Sequence, residues 1–181
     1  WGRTTLRKLI ALGEVGHTGL HGSNRLASNS LLEAVVFSHR AAQKIEKEAS
    51  LMDEPIVEPA PWDEGRVEAL KEAVIIDHDW DAARRIMWDY VGIVRTDERL
   101  RLAAERIEQL KSTVESLYWG SRLTQDLLEL RNIILVGELV IRSARERRES
   151  RGLHFTESHP QRDDEHFGHD TFLRYGGGGT S

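Results

Sequence analysis

Apolar residues recur along this chain in two rhythms. Near the start, Leu9-Ile10-Ala11-Leu12 is an unbroken apolar run that stops at Gly13, the pattern of a short buried strand. Further on the period lengthens. Ser30-Leu31-Leu32-Glu33 has the capping-box form, in which Ser30 accepts from the Glu33 amide and Glu33 reaches back, and this predicts a helix beginning near Ser30. Leu32, Val35, Val36, His39 and Ala42 follow at helical spacing, and the charged run Lys44 to Glu48 closes that helix on a solvated turn. Three more stripes follow. Ala83, Ile86, Met87, Tyr90, Val91 and Val94 form the first; Leu100, Ala103, Ile107, Leu110, Val114 and Leu117 the second; Leu123, Leu127, Leu130, Ile134, Gly137, Ile141 and Ala144 the third. The last two alternate steps of three and four and join near Tyr118 to Ser121, which predicts antiparallel helices and, with the first stripe, a three-helix bundle. The fold class expected is mainly α.

Proline sets the boundaries. Pro55, Pro59 and Pro61 forbid a continuous helix, so residues 51–77 read as a linker in which Pro61-Trp62 packs against a neighbour. Residues 1–50 then form a strand, loop and helix unit, 78–150 the bundle, and 151–181 a polar tail with Pro160. Gly176 to Gly179 and Thr180-Ser181 read as a flexible, linker-like end. The chain opens on Trp1 rather than Met, and Gly2-Arg3-Thr4-Thr5 reads as the middle of a longer sequence.

Composition narrows the function classes. The 181 residues carry a formal net charge of −5, which argues against general nucleic-acid binding because no excess of cations faces phosphate. Cysteine is absent, excluding disulfides, thiolate metal sites and cysteine nucleophiles, and the composition is compatible with a reducing cytoplasm. No run reaches the roughly 18 apolar residues of a membrane span, and no signal peptide is evident.

The chemistry concentrates in residues 13–33. Gly13, Gly16, Gly19 and Gly22 punctuate a loop that must turn sharply or come close to a ligand. One arginine, Arg25, precedes a helix start whose amides favour negative charge, and a guanidinium there can clamp a carboxylate. Glu14, at the end of the expected strand, suits hydroxyls of a ribose or ribityl chain. These residues describe a site for an anionic ligand, or for a cofactor that gains negative charge. They equally describe a Gly-rich turn entering an ordinary helix, with Arg25 in a salt bridge.

The stretch from Gly13 to Glu33, with Thr18-Gly19-Leu20-His21-Gly22-Ser23-Asn24-Arg25-Leu26-Ala27-Ser28-Asn29-Ser30 at its centre, resembles the second FAD-contacting segment of the succinate dehydrogenase/fumarate reductase flavoprotein superfamily. Within it the stretch is most similar to the L-aspartate oxidases; relatives acting on succinate or fumarate usually have Gly-Ala or Gly-Gly where Ala27-Ser28 stands. Trp88 to Arg95, Leu128 to Asn132 and Glu149 to Phe155 resemble the oxidase bundle and the motif after it. The resemblance covers roughly residues 2–165.

It implies that residues 1–50 are the C-terminal remnant of an FAD-binding α/β domain, and that the chain is the C-terminal portion of an enzyme oxidising L-aspartate to iminoaspartate in the cytoplasm. FAD is the implied cofactor, oxygen or fumarate the acceptor, and quinolinate synthase the possible recipient of the product. Neither nucleic acid nor membrane is expected as a partner. By the same resemblance Glu14 binds the ribityl or ribose side of FAD. Ser30 and Leu31 offer amides to the flavin pyrimidine edge, and Arg25 holds the substrate carboxylate over the ring. His21 reads as structural.

The family's N-terminal dinucleotide motif and its capping domain have no counterpart here, so the chain supplies one wall of a site and is expected to be inactive alone. Ser158-His159-Pro160 replaces the family's Asp-Tyr-Pro. His166 and His169 read as solvated rather than metal-binding, and Arg142, Arg145, Arg147, Arg148 and Arg151 as a solvated basic helix end. Trp62, Trp80, Trp88 and Trp119 read as core or interface anchors. The alternatives are a succinate dehydrogenase or fumarate reductase flavoprotein subunit, disfavoured by Ala27-Ser28, and a non-catalytic helical interaction module.

Overall fold

The computed structural model describes residues 1–49, 58–61, 63, 65, 67 and 74–173. These fall into two compact units, Trp1–Pro61 and Trp62–Ser181.

In the first unit, residues 2–11 fold back on themselves. The Thr4 amide donates to the Leu9 carbonyl at 3.2 Å and the Ala11 amide to the Gly2 carbonyl at 2.8 Å, around a bridge between Arg3 and Ile10. The strand expected at Leu9–Leu12 is therefore reduced to one bridge: a strand needs neighbours along its length, and here only Gly2 to Thr4 run beside it. A 3-10 turn, Gly13–Gly16, leads into the loop, and helix α1 spans Ala27–Ala49.

Helix α1 departs from the sequence reading twice. It begins three residues before Ser30, because the Leu26 carbonyl already accepts from the Asn29 and Ser30 amides at 3.0 and 3.1 Å. Its apolar stripe also faces outward. Leu32, Val35, Val36, His39 and Ala42 are exposed, whereas Glu33 and Ala41 are buried and Phe37 is half-buried. Among the described residues of this unit, the segment before the helix packs on the face that carries Glu33.

The second unit is the three-helix bundle that the periodicity predicts. Helix α2 spans Val74–Val91, α3 Asp97–Gly120 and α4 Gln125–Glu146. Their buried hydrophobic positions are Ile76, Ala83, Ile86 and Val91, then Leu100, Ala103, Ile107 and Val114, then Leu127, Leu130, Ile134, Ile141 and Ala144. Met87, Tyr90, Leu110, Leu117 and Leu123 pack half-buried against this core. Both long helices start on a threonine: Thr96 accepts from the Arg99 amide at 3.1 Å and Thr124 from the Leu127 amide at 3.3 Å. Gly137 of α4 faces both α2 and α3. A Cβ there would lie 3.2 Å from Met87 Sδ and 3.7 Å from Ile107 Cδ1.

Val94, the last residue of the first stripe, lies beyond the helix in strand β1, Val94–Arg95. This pairs in parallel with β2, Phe155–Thr156, matching Val94 to Phe155 and Arg95 to Thr156. A one-turn helix α5, Asp164–Phe167, follows. Trp80 packs on the core, but Trp88 is 82% exposed and Trp119 is also exposed. Pro55 and Trp62 of the expected linker lie outside the described residues.

Candidate functional site

The 3-10 turn and the loop that joins it to α1 are shaped by left-handed backbone. Gly13, Gly19 and Gly22 have φ of 72°, 81° and 61°, and His17 has 40°. An added Cβ would strain each glycine. The reversals turn Thr18, His21 and Arg25 toward one side chain of α1, the Glu33 carboxylate.

Glu33, on α1, is the side chain on which the loop converges. Its side chain is fully buried. The Thr18 hydroxyl donates to Oε1. Arg25 Nη2 donates to Oε2 at 2.7 Å, and His21 Nε2 lies 2.9 Å from the same oxygen. The Leu26 amide donates to His21 Nδ1 at 3.3 Å, so the imidazole proton sits on Nε2 and is shared with Glu33. Burial alone would raise the carboxyl pKa. The Thr18 hydroxyl first, then Arg25 and His21, outweigh it and hold the group down at about 2.

The capping box is therefore not formed. Glu33 faces the loop instead, and the Ser30 hydroxyl donates to the Leu26 carbonyl at 3.3 Å. Glu33 is the residue that sequence reasoning misassigned. The available signal was its spacing to Phe37 and Ala41, steps of four that mark one helix face.

The other expected site residues sit as follows. Glu14 is exposed in the 3-10 turn rather than at a strand end, because no strand forms before it. Ser30 and Leu31 lie one turn into α1 instead of at its first residue. The Ser30 amide is taken by Leu26, and among the described residues no acceptor meets the earlier amides of Ala27 and Ser28. The Leu31 side chain is 72% exposed. Arg25 is only partly buried, and among the described residues no acceptor takes its Nη1 or Nε protons. The loop, the open helix start and this guanidinium edge lie together at one end of α1. Such donors suit an anionic group.

A second buried carboxylate organises the segment after the bundle. Glu149 accepts from Arg147 Nη1 at 2.5 Å, from Arg151 Nε and Nη2 at 2.6 and 3.0 Å, and from the Asp163 amide at 2.8 Å. The Arg151 guanidinium is the chief reason its carboxyl pKa falls to about 2. Arg147 also donates to the carbonyls of Phe167 and His169. His154 bridges Arg95 Nη1 and the Arg147 carbonyl at 2.8 and 3.0 Å, and burial lowers its pKa. Arg147 and Arg151, expected in a solvated helix end, are thus bonded to a buried anion, and the polar tail is ordered by them through residue 171. His166 bonds Asp163 at 2.9 Å, and the described residues contain no cluster suited to a metal ion. No described helix is long and apolar enough to cross a membrane.

One unit carries a Gly-rich loop and helix start, the other a helical bundle followed by a carboxylate-pinned segment. The family model described as the fumarate reductase flavoprotein C-terminal region matches residues 81–180, and the chain belongs to that family. Among the relatives it resembles, L-aspartate oxidase 1 of Ralstonia nicotianae is 49% identical over 160 residues and L-aspartate oxidase of Pseudomonas aeruginosa 50% over 160 residues. Each comparison covers 88% of this chain but only 30% and 29% of those proteins. The chain thus spans about 30% of the length of the curated relatives and is the counterpart of a C-terminal portion of them. Among solved structures, the FrdA chain of an E. coli quinol fumarate reductase variant superposes with a TM-score of 0.64 at 30% identity, covering 88% of this chain and 30% of that one.

Proposed function

We propose that this chain forms one wall of the flavin and substrate site of an L-aspartate oxidase, an FAD-dependent enzyme converting L-aspartate to iminoaspartate. The observation that carries the reading is Arg25: one edge of its guanidinium is held by Glu33, the other meets no acceptor among the described residues, and both stand beside the start of α1. The identity to L-aspartate oxidases at about half of the aligned positions supports the substrate. The proposed setting is cytoplasmic, with oxygen or fumarate as acceptor and quinolinate synthase as recipient of the product.

When bound, FAD supplies the acceptor for the hydride leaving the substrate Cα. The chain's own residues bind and orient. Arg25 pairs a substrate carboxylate through its open edge and lowers the cost of bringing that charge out of water. The start of α1, where the Ala27 and Ser28 amides meet no acceptor among the described residues and Ser30 and Leu31 follow, would offset negative charge on the flavin through the helix dipole. Glu14 accepts hydroxyls of the ribityl or ribose part.

The test places this chain in the Pseudomonas aeruginosa oxidase in exchange for the equivalent segment. Peroxide release is followed with L-aspartate and with succinate. Release with aspartate only, lost in Arg25→Leu, is the expected result. The likeness to fumarate reductase favours a second reading, a dicarboxylate dehydrogenase; turnover of succinate in place of aspartate selects it and sinks the first.

A further inference from the structure

We infer that Glu33 is a positioning residue for the substrate carboxylate: its buried oxygens hold the Arg25 guanidinium so that the open edge faces the ligand. The inference rests on the reading of Arg25 proposed above.

A guanidinium is a planar fork of five donors on a long, flexible stem. It recognises a carboxylate with both prongs only when the plane is fixed, and an arginine that must be ordered on each binding event loses affinity to side-chain entropy. Here the plane has an anchor. Arg25 Nη2 donates to Glu33 Oε2 at 2.7 Å, and Glu33 is itself held on α1 by the Thr18 hydroxyl and by His21 Nε2 at 2.9 Å. The Leu26 amide fixes the imidazole in turn. Every member of the chain from helix to guanidinium is therefore bonded twice or more except the last, Arg25, whose remaining donors meet no described acceptor.

The charge balance makes the idea testable. Glu33 and Arg25 together carry no net charge, so removing the carboxylate charge leaves Arg25 a stronger attractor for anions. If attraction alone governed binding, Glu33→Gln would tighten it. If position governs, Glu33→Gln weakens it, because the amide loses the charge-assisted bond and presents one acceptor oxygen to three donors.

The experiment uses the same oxidase carrying this chain, with succinate as the probe, titrated against the flavin absorbance band, and KM and kcat measured for L-aspartate. Glu33→Gln is expected to weaken succinate binding by about 10-fold or more and to raise KM more than it lowers kcat. In an Arg25→Leu background the same change is expected to add less than about 2-fold, since a residue acting through Arg25 has nothing left to position. Glu33→Asp keeps the charge but draws the anchor back by one methylene, and is expected to fall between; it replaces Glu33→Gln if that variant loads no flavin. Binding within about 2-fold of the parent, tighter binding, or a loss that multiplies fully with Arg25→Leu overturns the inference. A parent that binds no dicarboxylate overturns the proposed function, and this inference with it.

Discussion

Replacing Leu130 with alanine and, separately, Leu135 with alanine puts the same chemical change five residues apart on α4. Leu130 is 0% exposed in the bundle core and Leu135 is 42% exposed on the opposite face. At Leu130 three carbons leave the core, worth about 2.4 kcal/mol at roughly 0.8 kcal/mol each. A residual cavity of roughly 60 Å³ adds about 1.4 kcal/mol at ~24 cal/mol per Å³, for a total near 4 kcal/mol. At Leu135 solvent fills the space and part of the side chain is already wet, so the loss is about 1 kcal/mol. At about 4 °C per kcal/mol for a unit of this size, the two variants melt roughly 15 °C and 4 °C below the parent. Thermal unfolding of the whole chain followed by far-ultraviolet circular dichroism, with urea titration for the free energies, checks both values. Equal losses at the two positions would refute the assignment of faces, since they would mean that the outer side of α4 is covered as completely as the core.

Gly137→Ala is expected to stay within about 1 kcal/mol of the parent, because the helix propensity gained offsets a 3.2 Å approach to the flexible end of Met87. Gly137→Val, which also drives carbon toward Ile107, is expected to lose about 1–3 kcal/mol by urea titration. Thr124→Ala is expected to cost about 1 kcal/mol by removing the bond to the Leu127 amide. The Glu149 carboxyl sits at about 2 against an ordinary 4.5. Its stabilising effect is therefore complete above pH 4.5 and disappears as the pH falls toward 2. Hydrogen-exchange protection of the Asp163 amide should fall across that window, and Glu149→Gln should abolish it at pH 6; protection unchanged in Glu149→Gln would refute the anchoring role.

The site was half legible. Arg25 and the Gly-rich loop stand out in any reading, because positive φ selects glycine and a lone arginine before a helix start is conspicuous. Glu33 was legible only as a helix-start residue. Ser-x-x-Glu is a local pattern, and nothing local distinguishes a glutamate reaching back to its own cap from one turned into a loop. What decides is that Thr18, His21 and Arg25 converge on the same oxygens and outcompete one backbone amide.

The bundle needed little beyond the sequence. The seams through Leu100, Ile107 and Val114, and through Leu127, Ile134 and Ile141, repeat at a period only a helix satisfies, and each burial follows from it. Thr96 and Thr124 mark their own helix starts. Tertiary structure alone decided three things: which side of α1 turns inward, whether Leu9 to Leu12 make a strand, and what becomes of the arginines after α4. In α1 both faces carry apolar residues, and only the segment actually packed there chooses between them. A strand is a relation between neighbours, so Ile10 shows one bridge where a single partner is present. Arg147 and Arg151 look solvated in sequence, and become structural because Glu149 is buried between them, and a buried carboxylate must find its donors wherever the chain brings them.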